Sequence, residues 1–157
     1  MKILILCTDN SCLSQMAEGW LQSFDKSLTV CSAGTKPAAQ TNLLAIETMA
    51  KSGIDISMKR PKPVEQYLDE PWDYVITLCN TADENCPEFT GKVRHRLHVG
   101  TYDPSRAKGT PEFIASEFRR ISIQLKKKMY EFYADEILNG DGGPTCTCGA
   151  NRFCRCN

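Results

Sequence analysis

The chain has 157 residues, 41% of them hydrophobic, enough for one domain that buries roughly two-thirds of its unfolded surface. Nineteen Lys and Arg balance nineteen Asp and Glu, so charge gives no reason to expect nucleic acid or an anionic membrane as partner. Its apolar start, MKILILC, is too short for an export signal or a membrane span. A cytoplasmic monomer is expected. Nine cysteines in a reducing compartment then point to redox chemistry or metal binding rather than to a disulfide scaffold.

Lys2 to Leu6 reads as a buried strand. The polar run Cys7-Thr8-Asp9-Asn10-Ser11-Cys12 follows, and Met16, Ala17, Trp20, Leu21 and Phe24 then recur at helical spacing. A second strand is expected at Leu28 to Cys31, ended by Ser32-Ala33-Gly34, and a helix from about Thr41 to Lys51, with Gly53 as its stop. Asp73 to Leu78 is apolar in its middle, as a strand buried on both faces requires, and Arg94 to His98 is a short fourth strand. Thr110 before Pro111 opens a long helix whose face Ile114, Phe118, Ile121, Leu125 and Phe132 runs toward Leu138.

Strands alternating with helices predict an α/β fold, a doubly wound four-stranded parallel sheet flanked by helices, with ligands beyond the carboxyl ends of the strands. Cys7 and Cys79 each stand at such an end. Residues 1–138 form the domain, and 139–157 a Gly-rich linker and a Cys-rich tail.

A cysteine between a buried strand and a helix faces backbone amides and a helix N-terminus, which favours a thiolate and an anion-binding cup. A small buried core residue is the alternative. The run Cys7 to Gly19 resembles the signature loop of the low-molecular-weight tyrosine phosphatases and the related arsenate reductases. Ser32-Ala33-Gly34, Thr77-Leu78-Cys79, Asn85-Cys86-Pro87 and Asp103-Pro104 resemble the reductase branch in the same order.

The resemblance implies Cys7 as nucleophile and Asp103 as the general acid that protonates the departing oxygen. Asn10 and Ser14 would orient the oxyanion loop, Thr8 to Ser14, and Ser11 would shape its cup. Read without the resemblance, Asp103-Pro104 is a common turn opener. Cys12 is open to packing or to a protective disulfide with Cys7.

Two positions depart from the family. Leu13 stands where the family has an oxyanion-clamping Arg, and Asp9 where it usually has Gly. Both changes oppose anion binding, and losing a buried charge partner typically costs roughly 2–5 kcal/mol. Arg106 or Lys36 could supply a charge from outside the loop; the plainer reading of each is a solvated surface cation.

Six residues separate Cys79 from Cys86. In the resemblance this pair sets the reductases apart from the phosphatases. It implies a relay without a cofactor: Cys7 attacks arsenate, Cys79 attacks Cys7 and expels arsenite, Cys86 attacks Cys79, and thioredoxin or a similar dithiol reduces the last disulfide. In the tail, Cys146, Cys148, Cys154 and Cys156 form two Cys-x-Cys pairs, enough thiols for zinc or another soft metal, for arsenite, or for a redox role. Arsenate reductase leads; a tyrosine phosphatase and a degenerate arsenite- or metal-binding homologue are the alternatives.

Overall fold

The computed structural model describes residues 1–79, 84–140 and 154–155. Strands β1 (Lys2–Cys7), β2 (Thr29–Gly34), β3 (Trp72–Thr77) and β4 (Val93–His98) form the parallel sheet, in the order β2-β1-β3-β4. A two-residue strand, β5 (Cys154–Arg155), pairs antiparallel with β4 and sets Arg155 opposite Leu97. Helices α1 (Leu13–Phe24), α2 (Leu43–Lys51) and α3 (Pro111–Phe132) flank the sheet. None of the described helices is long and apolar enough to cross a membrane.

The central strand is apolar without a break because both its faces are covered. Ile3, Ile5 and Cys7 join α1, α2 and α3 in one core, with Trp20, Met49, Phe118, Leu125 and Phe132. Leu4 and Leu6 face the other way, toward Val64, Trp72 and Val75. Only Leu97 is buried in β4 itself, in keeping with that strand's polar sequence VRHRLH.

The helix boundaries follow local chemistry. Asn42 caps α2 by accepting from the amides of Leu44 and Ala45 at 2.9 and 3.3 Å. Thr110 Oγ1 accepts from the Phe113 amide at 3.1 Å, and Pro111 occupies the first turn of α3. The long helix expected to reach Leu138 changes character after Phe132, with Tyr133–Leu138 wound as a π-helix. Strand β2 runs past its expected end at Cys31, because Ser32, Ala33 and Gly34 continue its parallel ladder to Ile5, Leu6 and Cys7.

Sheet order fixes where a site can form. Consecutive connections from β1 leave in opposite directions, first to β2 and later to β3, so the crevice at the carboxyl ends of β1 and β3 is the topological switch point. Cys7 ends β1, and Cys79 lies two residues beyond β3.

Candidate active site

The loop after β1 is held from outside by backbone hydrogen bonds. Thr35, Lys36, Ala38 and Asn42 donate to the carbonyls of Cys7, Thr8, Asp9 and Ser11, at 3.2, 2.8, 2.9 and 2.8 Å. The close approach of β2 requires Gly34, where a Cβ would stand 2.6 Å from the Thr8 carbonyl oxygen.

Asn10 takes the left-handed conformation, with φ 51°. Its Nδ2 donates to Ser14 Oγ at 2.8 Å, and its Oδ1 accepts from the Lys62 amide at 2.9 Å. Gln15 Nε2 reaches the Asn10 and Arg60 carbonyls, each at 3.1 Å, while Gln15 Oε1 is buried without a hydrogen-bond partner among the described residues. Asn10 and Ser14, the two residues expected to orient the loop, are thus bonded directly to each other.

The two switch-point cysteines come together. Cys7 Sγ donates to Cys79 Sγ at 3.6 Å, and Thr8 Oγ1 lies 3.3 Å from the same Cys79 sulfur. Cys7 is buried and Cys79 half-buried.

The sequence expectation of a ready Cys7 thiolate is not met in this arrangement. The hydrogen bond to Cys79 raises the Cys7 pKa most, burial and the charge of Cys79 add to the rise, and Asp9 contributes further; only the Thr8 amide opposes. Neutral Leu13 supplies no cation to offset them. It is 1% exposed and packs in the core with Cys7 and Cys12.

Asp9 bonds within the loop: its Oδ1 accepts from the Ser11 amide at 3.2 Å, so a carboxylate engages one of the loop's backbone donors. The side chain of Cys12 caps nothing in α1; it turns to Met16 Sδ at 3.9 Å. Burial, with the charges of Asp103 and Asp9, holds its thiol well above the ordinary range.

Asp103 caps the 3-10 turn Pro104–Arg106, its Oδ1 accepting from the Ser105 amide at 2.9 Å and from Ser105 Oγ at 2.7 Å. The turn-opening role is therefore real, and the charge of Asp103 is also felt at Cys12. Arg106 and Lys36, the candidate replacements for the clamp, both have exposed side chains.

Cys86 is placed apart from the first two cysteines. It packs with Phe89 and Val93 against the core on the opposite face of the sheet, and Arg96 Nη1 lies 3.7 Å from its sulfur. Cys31 packs against the same core and is half-buried rather than enclosed.

Sequence reasoning missed the segment after α2. Lys59 Nζ pairs with the buried Glu18 Oε1 at 2.5 Å, Ser32 Oγ donates to Glu18 Oε2 at 2.5 Å, and Thr41 Oγ1 donates to the Lys59 carbonyl at 2.8 Å. These bonds fix the stretch that delivers the Arg60 carbonyl and the Lys62 amide to the loop. No periodicity in Lys59-Arg60-Pro61-Lys62-Pro63 announces that task.

The metal expectation at Cys146, Cys148 and Cys156 lies outside the described residues, and only the backbone of Cys154 lies within them. Among the described residues no group of three or more His, Cys, Asp or Glu side chains is arranged to hold a metal ion.

Residues 2–135 match the family model described as low molecular weight phosphotyrosine protein phosphatase. The arsenate reductase of Halalkalibacterium halodurans is 40% identical over 131 residues, 83% of this chain and 93% of that protein. The arsenate reductase of Bacillus subtilis is 38% identical with the same coverage. Among solved structures, an arsenate reductase in the phosphate binding state superposes with a TM-score of 0.70 at 28% identity, covering 85% of this chain and 97% of that one. A thioredoxin-dependent arsenate reductase of Corynebacterium glutamicum gives a TM-score of 0.64 at 26% identity, covering 88% of this chain and 63% of that one.

Proposed function

Because the chain belongs to the low-molecular-weight phosphotyrosine protein phosphatase family, we propose that it is an arsenate reductase working by a cysteine relay, with a dithiol of the thioredoxin kind as its reductant. The observation that carries this reading is the 3.6 Å separation of the Cys7 and Cys79 sulfurs at the switch point. Phosphoryl transfer needs one nucleophile there and does not call for a partner thiol at the end of β3, whereas a thiol relay does.

In the proposed sequence the Cys7 thiol passes its proton to the arsenate dianion and attacks arsenic as the thiolate, and a hydroxyl leaves as water with a proton from Asp103. Cys79 then attacks Cys7 Sγ. The arsenic–sulfur bond breaks with its electron pair on arsenic, which leaves as arsenite, and a Cys7–Cys79 disulfide remains. Cys86 attacks Cys79 next, freeing Cys7 and leaving a Cys79–Cys86 disulfide, which the external dithiol reduces with two electrons. No metal or organic cofactor takes part, and the enzyme works as a cytoplasmic monomer.

The raised Cys7 thiol disfavours attack and the neutral Leu13 disfavours arsenate binding, so the first step is the weak one. Arsenate-dependent oxidation of a thioredoxin system tests the proposal: it should be measurable with the native chain and abolished in Cys7→Ser and Cys79→Ser. Undiminished turnover in either variant would refute the relay.

A further inference from the structure

We infer that the Cys7–Cys79 pair is also a chelating site for a neutral, thiophilic trivalent centre, arsenite as As(OH)3, and that it holds this ligand in preference to the arsenate anion. The inference deepens the reductase reading at the same site and rests on it for the identity of the ligand, arsenite being the product that reading forms there. It needs no turnover.

Geometry is the first argument. A centre making bonds of about 2.3 Å to sulfur, as zinc does, with roughly 100° between them spans sulfurs about 3.5 Å apart. The observed separation is 3.6 Å. A disulfide requires the same atoms to close to about 2.05 Å. The reduced pair is thus already at chelate spacing and still well short of bonding distance.

Electrostatics is the second. Leu13 is buried where a clamping cation would stand, and Asp9 places a carboxylate on the Ser11 amide. Both disfavour a dianion, and neither acts on a neutral molecule. Two protonated thiols and As(OH)3 give a dithiolate of arsenic that keeps one hydroxyl, with two waters released. Each thiol proton leaves on a departing hydroxyl, arsenic stays trivalent, and no electrons move. The Cys7 thiol, raised by its contact with Cys79 and by burial, is hindered in attack on arsenate but carries a proton that this condensation consumes.

The third position on arsenic belongs to oxygen. Cys12 is turned to Met16, whereas Thr8 Oγ1 stands 3.3 Å from Cys79 Sγ, so the group next to the pair is a hydroxyl and not a third thiol. The pair therefore acts as a two-thiol site, which holds its ligand while allowing thiol exchange to remove it.

The test uses the full-length chain, reduced, with Cys146, Cys148, Cys154 and Cys156 all changed to Ser so that the tail thiols do not compete. Sodium arsenite, sodium arsenate and sodium phosphate are the probes. Alkylation with iodoacetamide followed by peptide mapping reads protection, and arsenic-edge X-ray absorption reads the ligands. Arsenite should bind once per chain, protect Cys7 and Cys79 together, show two sulfurs and one oxygen around arsenic, and bind at least about tenfold tighter than arsenate. Leu13→Arg should tighten arsenate and phosphate binding while leaving arsenite affinity within about twofold.

Protection of Cys31 or Cys86 instead, three sulfurs around arsenic, or tighter binding of arsenate than arsenite would each overturn the inference. The parent reading fails separately: arsenite protection without arsenate-driven thioredoxin oxidation in the native chain would remove the reductase and leave the chelate. Turnover without protection would do the reverse.

Discussion

The backbone amide of Lys62 donates to the Asn10 side-chain carbonyl at 2.9 Å, fastening the loop after β1 to a segment 52 residues away. The same Asn10 holds Ser14 through its other amide atom and takes a positive φ that few residues tolerate. Asn10→Ala removes the side-chain hydrogen bonds to Ser14, Lys62 and Gln15 and keeps the strained backbone. The expected loss is about 2–4 kcal/mol. Urea denaturation of the purified variant checks this, and a loss under half of the lower figure would show that the loop is held mainly by its backbone bonds.

Cys7 should alkylate slowly at neutral pH, its rate still climbing above the ordinary thiol value of 9.0, because the Cys79 sulfur and burial both favour the protonated form. Cys79→Ala removes the larger cause and should speed Cys7 alkylation at pH 7 by about tenfold or more. The stability consequence has a definite sign. A thiol whose folded pKa is raised contributes stability that is intact below 9.0 and is lost as pH rises from there toward the folded value. Thermal melts of the reduced protein at pH 7 to 10.5 should therefore show Tm falling at the alkaline end, less steeply in Cys7→Ala.

Leu13→Arg pits binding against packing. The native side chain is 1% exposed, and deletions of buried leucine typically cost about 2–5 kcal/mol, so the variant should lose about 2–4 kcal/mol of stability. Saturating phosphate at about a hundredfold over its Kd should return up to about 2.7 kcal/mol by linkage. Melting curves with and without phosphate decide it: a variant indifferent to phosphate would mean that the new guanidinium does not reach the loop amides. Asp9→Gly frees the Ser11 amide and should strengthen anion binding in the same direction, with coupling to Leu13→Arg measured by a double-mutant cycle.

Gly34→Ala places a methyl 2.6 Å from the Thr8 carbonyl and 3.1 Å from Asn10. Because the nearest neighbour is backbone, the loop itself must shift, at a cost of about 1–3 kcal/mol. Arsenite chelation is the sensitive readout, since moving Thr8 moves the Cys7 end of the pair. Unchanged protection of both thiols would show that the β2 contact is dispensable for the site.

Lys59→Met leaves the buried Glu18 without its cation, and breaking such a pair by removing one partner typically costs about 3–5 kcal/mol. The expected loss is at the lower end because the Lys59 side chain is 22% exposed. Combining it with Glu18→Gln should recover part of the loss, measured by denaturant melts of the single and double variants.

The parallel sheet, the three helices and the position of Cys7 were legible because each depends on local pattern: an unbroken apolar strand, a polar turn, then helical spacing. Cys79 was legible as a strand end. The state of the Cys7 thiol was not, since it depends on a sulfur 72 residues away. Nor was the length of β2, whose last three residues look like a turn until Gly34 is seen lying beside Cys7. The bracing by Glu18, Lys59 and Lys62 escaped for the same reason: its partners are far apart in sequence, and Lys62 contributes a backbone amide that carries no residue signature.

The sheet puts Cys79 with the core under the helices and Cys86 with the core on its other side. If reducing equivalents pass between them, they must round the rim of a β-sheet, and thiol chemistry alone cannot set that tempo. The second exchange would then be timed by segmental diffusion, slowed by solvent viscosity and largely indifferent to the acidity of the attacking thiol. The first, between sulfurs already in contact, would answer to pH and hardly at all to viscosity. One relay would thus contain a chemical clock and a mechanical one, set on opposite faces of a single sheet.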